Sequence, residues 1–388
     1  MPWPNPNLMN QRIEFARRAL RTENFRALCR EYGISPRVGY KWRERFMEQG
    51  EAGMVERSRR PQRSPEALGE EVVCRVVRLK ERHRHWGPRK LREIYLRQWG
   101  AAATPSESSF KRVLERCGLV EKRRERRAEQ TGRVASGRKA SAPNEVWTVD
   151  FKGWWHDAHG RCDPLTVRDE ASRYVLELRA LSNARTETVR ACFERLFAEH
   201  GLPGAIRSDN GPPFASITGL LGLSRLSAWW LAQGIDLERG RPGCPQDNGA
   251  HERLHRDIAC ELEGVAYGER QSALEVWRRE FNEERPHEAL GMRTPAELYC
   301  DSPRSWSGGV ETILYPGAQR RRVHPRGTIQ YEDVRVFLST ALSGWEIGLK
   351  PRRDGAVEVW FAQLLLGHLE PETRAFIART ETAVPSPP

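Results

Sequence analysis

Paired cysteines, long apolar runs and, over the first third of the chain, aspartate are what this sequence lacks. The eight cysteines stand singly at 29, 74, 117, 162, 192, 244, 260 and 300, with no Cys-x-x-Cys. His83 and His85 have no thiol pair beside them, so zinc is not expected. Cysteines scattered in this way suit reduced thiols in a cytosol. No apolar run approaches a membrane span and nothing resembles a signal peptide, so the expectation is a soluble, cytoplasmic protein without a membrane partner. Residues 1–141 contain no Asp: 34 Lys and Arg face 17 Glu there, leaving 30 basic and 35 acidic residues for the remainder. The net charge of +12 and the pI near 9.6 therefore originate in the front of the chain. A basic front on a near-balanced body is the footprint of a nucleic-acid-gripping module attached to something else. The 388 residues are enough for two to four domains with cores of their own.

That front reads as helices. Ile13, Phe15, Ala16, Leu20, Phe25 and Leu28 recur at helical spacing, and Tyr32-Gly33-Ile34-Ser35-Pro36 makes a turn with Ser35 as N-cap. The next helix carries Arg37, Lys41, Arg43 and Arg45 beside Tyr40 and Trp42, so residues 8–50 read as a helix-turn-helix whose basic helix enters the major groove. An ordinary three-helix bundle with solvated arginines is the alternative. Residues 51–65 form a basic linker whose Arg59, Arg60 and Arg63 suit a phosphate backbone or a minor groove. Residues 66–120 repeat the helical pattern, with Trp86-Gly87-Pro88-Arg89-Lys90 opening one helix and a Thr104–Glu107 capping box opening another. This looks like a second helix-turn-helix, with Arg89, Lys90, Lys111 and Arg112 as DNA contacts, or else a structural spacer. Residues 121–142 are a second basic linker, either a solvated helix face or an arm that tracks phosphates.

From about residue 143 the period changes to strands, and three acids stand out. Asp150 interrupts the apolar run Val146–Phe151. Asp209 closes Gly204-Ala205-Ile206 just before an Asn-Gly turn, and Glu252 opens a helical pattern through Leu254, Ile258 and Leu262. A carboxylate inside a strand is costly unless it is paired or binds cations. Three acids from a strand, a strand end and a helix start suit two divalent ions, Mg²⁺ or Mn²⁺, that assist phosphoryl transfer. Taken singly, each acid also reads as a turn or capping residue.

At these residues the chain resembles the bacterial insertion-sequence transposases, whose catalytic core is of the retroviral-integrase (DDE) type. The resemblance rests on Trp147-Thr148-Val149-Asp150, Ser208-Asp209-Asn210-Gly211, Arg241–Gly249 with Glu252, and Arg285-Pro286-His287 with Thr294-Pro295-Ala296-Glu297. It implies a ribonuclease-H-like core over 143–302 in which Asp150 bridges the ions and Asp209 and Glu252 each add a ligand. The 42 residues between Asp209 and Glu252 exceed the separation usual in that family, so Asp247 also comes into consideration, with the surplus assigned to Ser216–Trp230. Arg256, one turn beyond Glu252, either holds a phosphate or pairs with Glu252. His251 and His255 read as solvated, and His287 as a packing residue.

Beyond 308 the pattern is all strand, and residues 308–372 are expected to form a small SH3-like β-barrel, with 376–388 a disordered tail. Arg320-Arg321-Arg322, Lys350, Arg352 and Arg353 would suit DNA, and dimerisation is the alternative role. The fold expectation is thus multidomain: all-α tandem helix-turn-helix, α/β core and β-barrel. Function follows from the resemblance. The expectation is a nucleoid-associated transposase that takes double-stranded DNA, both element ends and target, and cuts and joins it as a dimer or larger synaptic complex. A DNA-binding regulator with an inactive core is the competing reading.

Overall fold

The structure is a computed structural model that describes residues 8–56, 68–120, 138–153, 155–157, 160–241, 249–262, 265 and 267–379. The chain divides into two compact units, Met1–Gly69 and Glu70–Pro388.

In the first unit α1 (Leu8–Ala19), α2 (Phe25–Glu31) and α3 (Pro36–Gln49) enclose Phe15, Leu28, Cys29, Ile34 and Trp42. Ser35 caps α3 by accepting from the Val38 N–H at 3.4 Å, with Pro36 in the first turn. Gly39 lets α3 lie against its neighbours, because a Cβ there would meet Cys29 Sγ at 2.6 Å. The unit runs past residue 50, where a linker was expected. A 3-10 turn, Gly50–Met54, buries Met54, and Arg12 Nη1 donates to the Met54 carbonyl at 3.0 Å. Arg59, Arg60 and Arg63 lie outside the described residues.

The second unit begins with α4 (Glu70–Arg82), α5 (Pro88–Trp99) and α6 (Glu107–Arg116). Ser106, not Thr104, caps α6, because Pro105 holds the chain extended for one residue more. These helices belong to the same compact unit as the core instead of standing alone. His83 Nδ1 meets Glu280 Oε1 at 3.0 Å, and Arg97 reaches Glu297 at 3.0 Å and the Met292 carbonyl at 2.8 Å. Residues 121–137 are outside the described part, and the end of the expected linker is docked: Arg207 Nη2 donates to the Arg138 carbonyl at 2.6 Å.

The core is ribonuclease-H-like. Strands β1 (Val146–Phe151), β2 (Trp155–Asp157), β3 (Gly160–Asp169), β4 (Val175–Leu181), β5 (Ala205–Ser208) and β6 (Asp236–Arg239) form one sheet in the order β2-β3-β1-β5-β6, with β4 on β3. β1 is antiparallel to β3 and parallel to β5. Helices α7 (Thr186–His200) and α8 (Arg225–Ala232) pack with Trp147, Val149, Leu165 and Val167 around Phe193, Phe197, Trp229 and Trp230. A second cluster joins Val175 and Leu178 to α9 (Gly249–Leu262) and α10 (Arg270–Arg279) through Leu254, Ile258, Leu274 and Trp277. The surplus residues after Asp209 make a compact turn, with Ala215 bridged to Leu223.

The C-terminal strands do not close into the expected barrel. β7 (Gln319–Arg322), β10 (Glu346–Pro351), β11 (Val357–Phe361), β12 (Leu364–Leu369) and β13 (Phe376–Ala378) form an open five-stranded sheet, and β8 (Thr328–Tyr331) pairs only with β9 (Val334–Phe337). The expected tail begins as a strand, since Phe376–Ala378 complete the β12 edge; residues 380–388 are outside the described part. No helix among the described residues is long and apolar enough to cross a membrane.

Candidate active site and nucleic-acid surfaces

Strand alternation sends Trp147 and Val149 into the α7–α8 core and turns Thr148 and Asp150 to the other face. Asp150 stands opposite Thr166 of β3. On its other side β1 runs parallel to β5 from Val146↔Ala205 to Thr148↔Arg207. Carried two residues further, that register sets Asp209 opposite Asp150, at the carboxyl ends of neighbouring strands about 4.8 Å apart. Such ends are where open α/β sheets hold their ligands.

The Asp209 carboxylate accepts from the Gly211 N–H, which offsets part of the upward push of burial on its pKa. Gly211 must be small, because a Cβ would lie 2.9 Å from Asp209 Oδ2. Asn210 Nδ2 ties the turn to the Gly240 carbonyl at 2.8 Å. At Asp150, burial first and the Asp209 charge second push the carboxyl up to about 7; Asp163 and Glu252 add to the push in that order. Asp163, half-buried near the start of β3, escaped sequence reasoning. The available signal was the one used for Asp150, an acid set in an apolar strand.

Glu252 sits exposed in the first turn of α9. Its helix is seated by two histidines expected to be solvated. His251 is fully buried, and its neighbour one turn on, His255, lies 5.3 Å away ring to ring. The Thr166 hydroxyl donates to the Asp150 carbonyl at 2.9 Å, so with its one proton committed it accepts from His255 Nε2 at 2.9 Å. Burial, then Lys152 and Arg168, lower His255 to about 4, and burial with Arg168 and His255 holds His251 well below the usual histidine range. Both imidazoles are neutral at pH 7, as a helix docked onto a strand requires. Among the described residues no three His, Cys, Asp or Glu side chains stand close enough to hold one ion. Asp247 lies outside the described residues. Arg256 is exposed, and among the described residues it does not pair with Glu252.

The basic helix α3 divides its cations. Arg37 and Lys41 are exposed, on a face shared with Tyr40 and Glu44, and the Lys41 ammonium lies over the Trp42 ring at 4.7 Å. Arg43 lies over Phe25 and Tyr40 at 5.1 and 4.9 Å, and Arg45 over Trp42 at 5.2 Å, both half-buried. Arg89 is exposed but shared between Glu107 at 2.6 Å and Glu288 at 3.3 Å. Lys111 and Arg112 are exposed on α6, Lys111 at 3.6 Å from Glu115. Lys90 is half-buried against the core, where burial first and Arg285 second lower it to about 8. His287 is buried, as a packing role requires, and lowered to about 3 by burial and then by Lys90.

Residues 140–245 and 233–295 match the Integrase core domain, residues 11–62 a Helix-turn-helix domain and residues 38–114 a Homeodomain-like domain. The chain is 26% identical over 238 residues to the insertion element IS407 uncharacterized 31.7 kDa protein of Burkholderia multivorans, covering 60% of this chain and 82% of that one. It is 24% identical over 238 residues to the insertion element IS476 uncharacterized 39.2 kDa protein of Xanthomonas euvesicatoria, covering 60% and 66%. Among solved structures it is similar to the catalytic core domain of BIV integrase, with 24% identity, a TM-score of 0.32, and 40% of this chain and 93% of that one covered. The HTLV-2 integrase catalytic core domain in complex with magnesium gives 16%, 0.31, 41% and 98%. These matches set the class: DNA-binding helix-turn-helix modules ahead of an integrase core. The matches support an insertion-sequence transposase with an integrase-type core.

Proposed function

We propose that the protein binds the ends of its own mobile element and cuts and joins DNA strands as a DDE transposase, with Asp150, Asp209 and Glu252 as its acids. The Asp150–Asp209 pair carries this reading. Asp150, half-buried and pushed up to about 7, is repelled by the neighbouring Asp209 and resists ionisation unless cations are present. Hard oxygen donors of this kind fit two Mg²⁺ or Mn²⁺ ions. When bound, such ions stabilise charge on the attacking and leaving oxygens of phosphoryl transfer. The chain's own residues do the placing. Asp150 would give up its proton and join Asp209 as a ligand, Glu252 would supply the third acid from α9, and His255 with Thr166 fixes α9 against the strand that carries Asp150. Work on two DNA ends fits a dimer or a larger synaptic assembly acting at the nucleoid.

The test uses Asp150→Ala, Asp209→Ala and Glu252→Ala proteins with candidate element ends and Mg²⁺. Each variant is expected to lose cleavage and joining while binding ends as well as the parent does. Cleavage retained in all three would overturn the assignment.

A further inference from the structure

At the seam between α5 and the core, we propose a site for one backbone phosphodiester of DNA, made by Lys90, Arg173 and Arg253 beside the buried His287. A chain of hydrogen bonds brings these residues together. Arg89 and Arg97 lay α5 along residues 288–297. Asn282 bonds both the N–H and the carbonyl of Val175, at 2.8 and 2.9 Å, which sets the turn bearing Arg173 beside the segment that leads to His287. Arg285 ties that segment to α9 through Asp257 at 3.2 Å and through Glu261, and Arg253 is on α9 next to Glu252.

The charges there do not balance. Asp257 and Glu261 are engaged by Arg285, Glu288 by Arg89, and Glu170 by Arg168 at 2.6 Å. Among the described residues Lys90, Arg173 and Arg253 make no hydrogen bond or ion pair. Near them His287, 7% exposed, has an Nε2 without a partner among the described residues. Burial and the neighbouring cations act together on the group: Lys90 is lowered to about 8, and Arg173 is lowered by burial, then Arg168, then Arg253. Lys90 and Arg173, held half-buried beside other cations, lack an anion. Arginine forks and a lysine ammonium match the oxygens of a phosphate. Arg253 is exposed and adjoins Glu252 on α9, which sets this site next to one of the candidate acids. DNA phosphate and free inorganic phosphate share this chemistry, and DNA is favoured because both flanking helical modules match DNA-binding domains.

The site deepens the proposed function and rests on it only in placing DNA near Glu252. Full-length parent, Lys90→Gln, Arg173→Gln, Arg253→Gln and the charge-keeping Lys90→Arg are titrated without Mg²⁺ against duplexes over a range of salt. Each Gln variant is expected to weaken all sequences alike and to flatten the log-log salt slope by about 0.9, with Lys90→Arg at the parent value. A methylphosphonate scan of the end should find one position whose neutralisation weakens the parent but not Arg253→Gln. Arg253 is a surface helix residue, so an unchanged slope in that variant, folded by its melting curve, overturns the proposal. Competition by inorganic phosphate without any methylphosphonate effect overturns it too, by making the site one for free anions. Strand joining plays no part in these readouts, so either this site or the proposed function can fail without the other.

Discussion

His255 Nε2 of α9 lies 2.9 Å from the Thr166 hydroxyl of β3, and the same hydroxyl donates to the Asp150 carbonyl. One threonine thereby joins the helix of the third acid to the strand of the first. Replacing His255 with Ala removes that tie. Expected are a loss of about 1–2 kcal/mol of stability and a fall in cleavage larger than that loss explains. End binding should be unchanged, and His255→Gln should restore part of the cleavage. A parallel cleavage and gel-shift series checks this, and an Ala variant that cleaves at the parent rate would remove His255 from any positioning role.

Neutral buried histidines make the fold sensitive to acid. The folded pKa of His255 is depressed from 6.5 to about 4, so its contribution is present above pH 6.5 and is lost as pH falls through 4. A shift of that size corresponds to on the order of 3 kcal/mol. Urea unfolding between pH 7 and 4 should show stability falling over this window, and His255→Asn should flatten the curve.

Asp150 works in the opposite direction. Its folded pKa is raised from 3.8 to about 7, so in chelator its contribution is present below pH 3.8 and lost as pH rises through 7. At pH 8 without divalent ions, Asp150→Asn is expected to be more stable than the parent by roughly 1–3 kcal/mol. Added Mg²⁺ should raise the parent's melting temperature more than the variant's. Calorimetry with and without Mg²⁺ reads both outcomes.

Arg285 is 3% exposed, bonded to Asp257 and Glu261, and lies 5.5, 5.6 and 5.5 Å from the rings of Trp86, Trp277 and Phe281. Arg285→Met leaves two acids without their cation and should cost about 3–5 kcal/mol. Arg285→Lys should recover little of this, since an ammonium offers neither the fork nor the flat stacking surface. Denaturant melts of the two variants decide it.

On α3, Arg37→Ala should weaken DNA binding without lowering the melting temperature. Lys41→Ala, Arg43→Ala and Arg45→Ala, which remove cations stacked on aromatic rings, should lower stability as well by about 0.5–1 kcal/mol each. Equal melting curves for all four would contradict this division of the helix.

Much of this was legible in the chain because it depends on local chemistry. An apolar run ended by Ser-Asp-Asn-Gly marks a strand followed by a turn, and β5 stops at Ser208. Ser35-Pro36 marks a helix start, and α3 starts there. Pairing across long separations was not legible. His251-Glu-Arg-Leu-His255 reads as a polar helix start until β3 is known to lie beneath it. Trp86 and Arg285 each look like ordinary packing residues, and only the tertiary fold brings them together. The strands after 308 could be found by their alternation, but an open sheet and a closed barrel share that alternation and differ only in which edges pair.

The seat of Arg285 also bears on retargeting. Trp86 lies in the turn just before α5, so the second helical module and the core share one buried centre and cannot be exchanged as separate cassettes. Met1–Gly69, with an interior of its own, can. A chimera that takes a foreign reader up to Gly69 keeps the aromatic seat whole, whereas a splice near residue 120 would strip Trp86 from it and leave a guanidinium facing water where an indole had been.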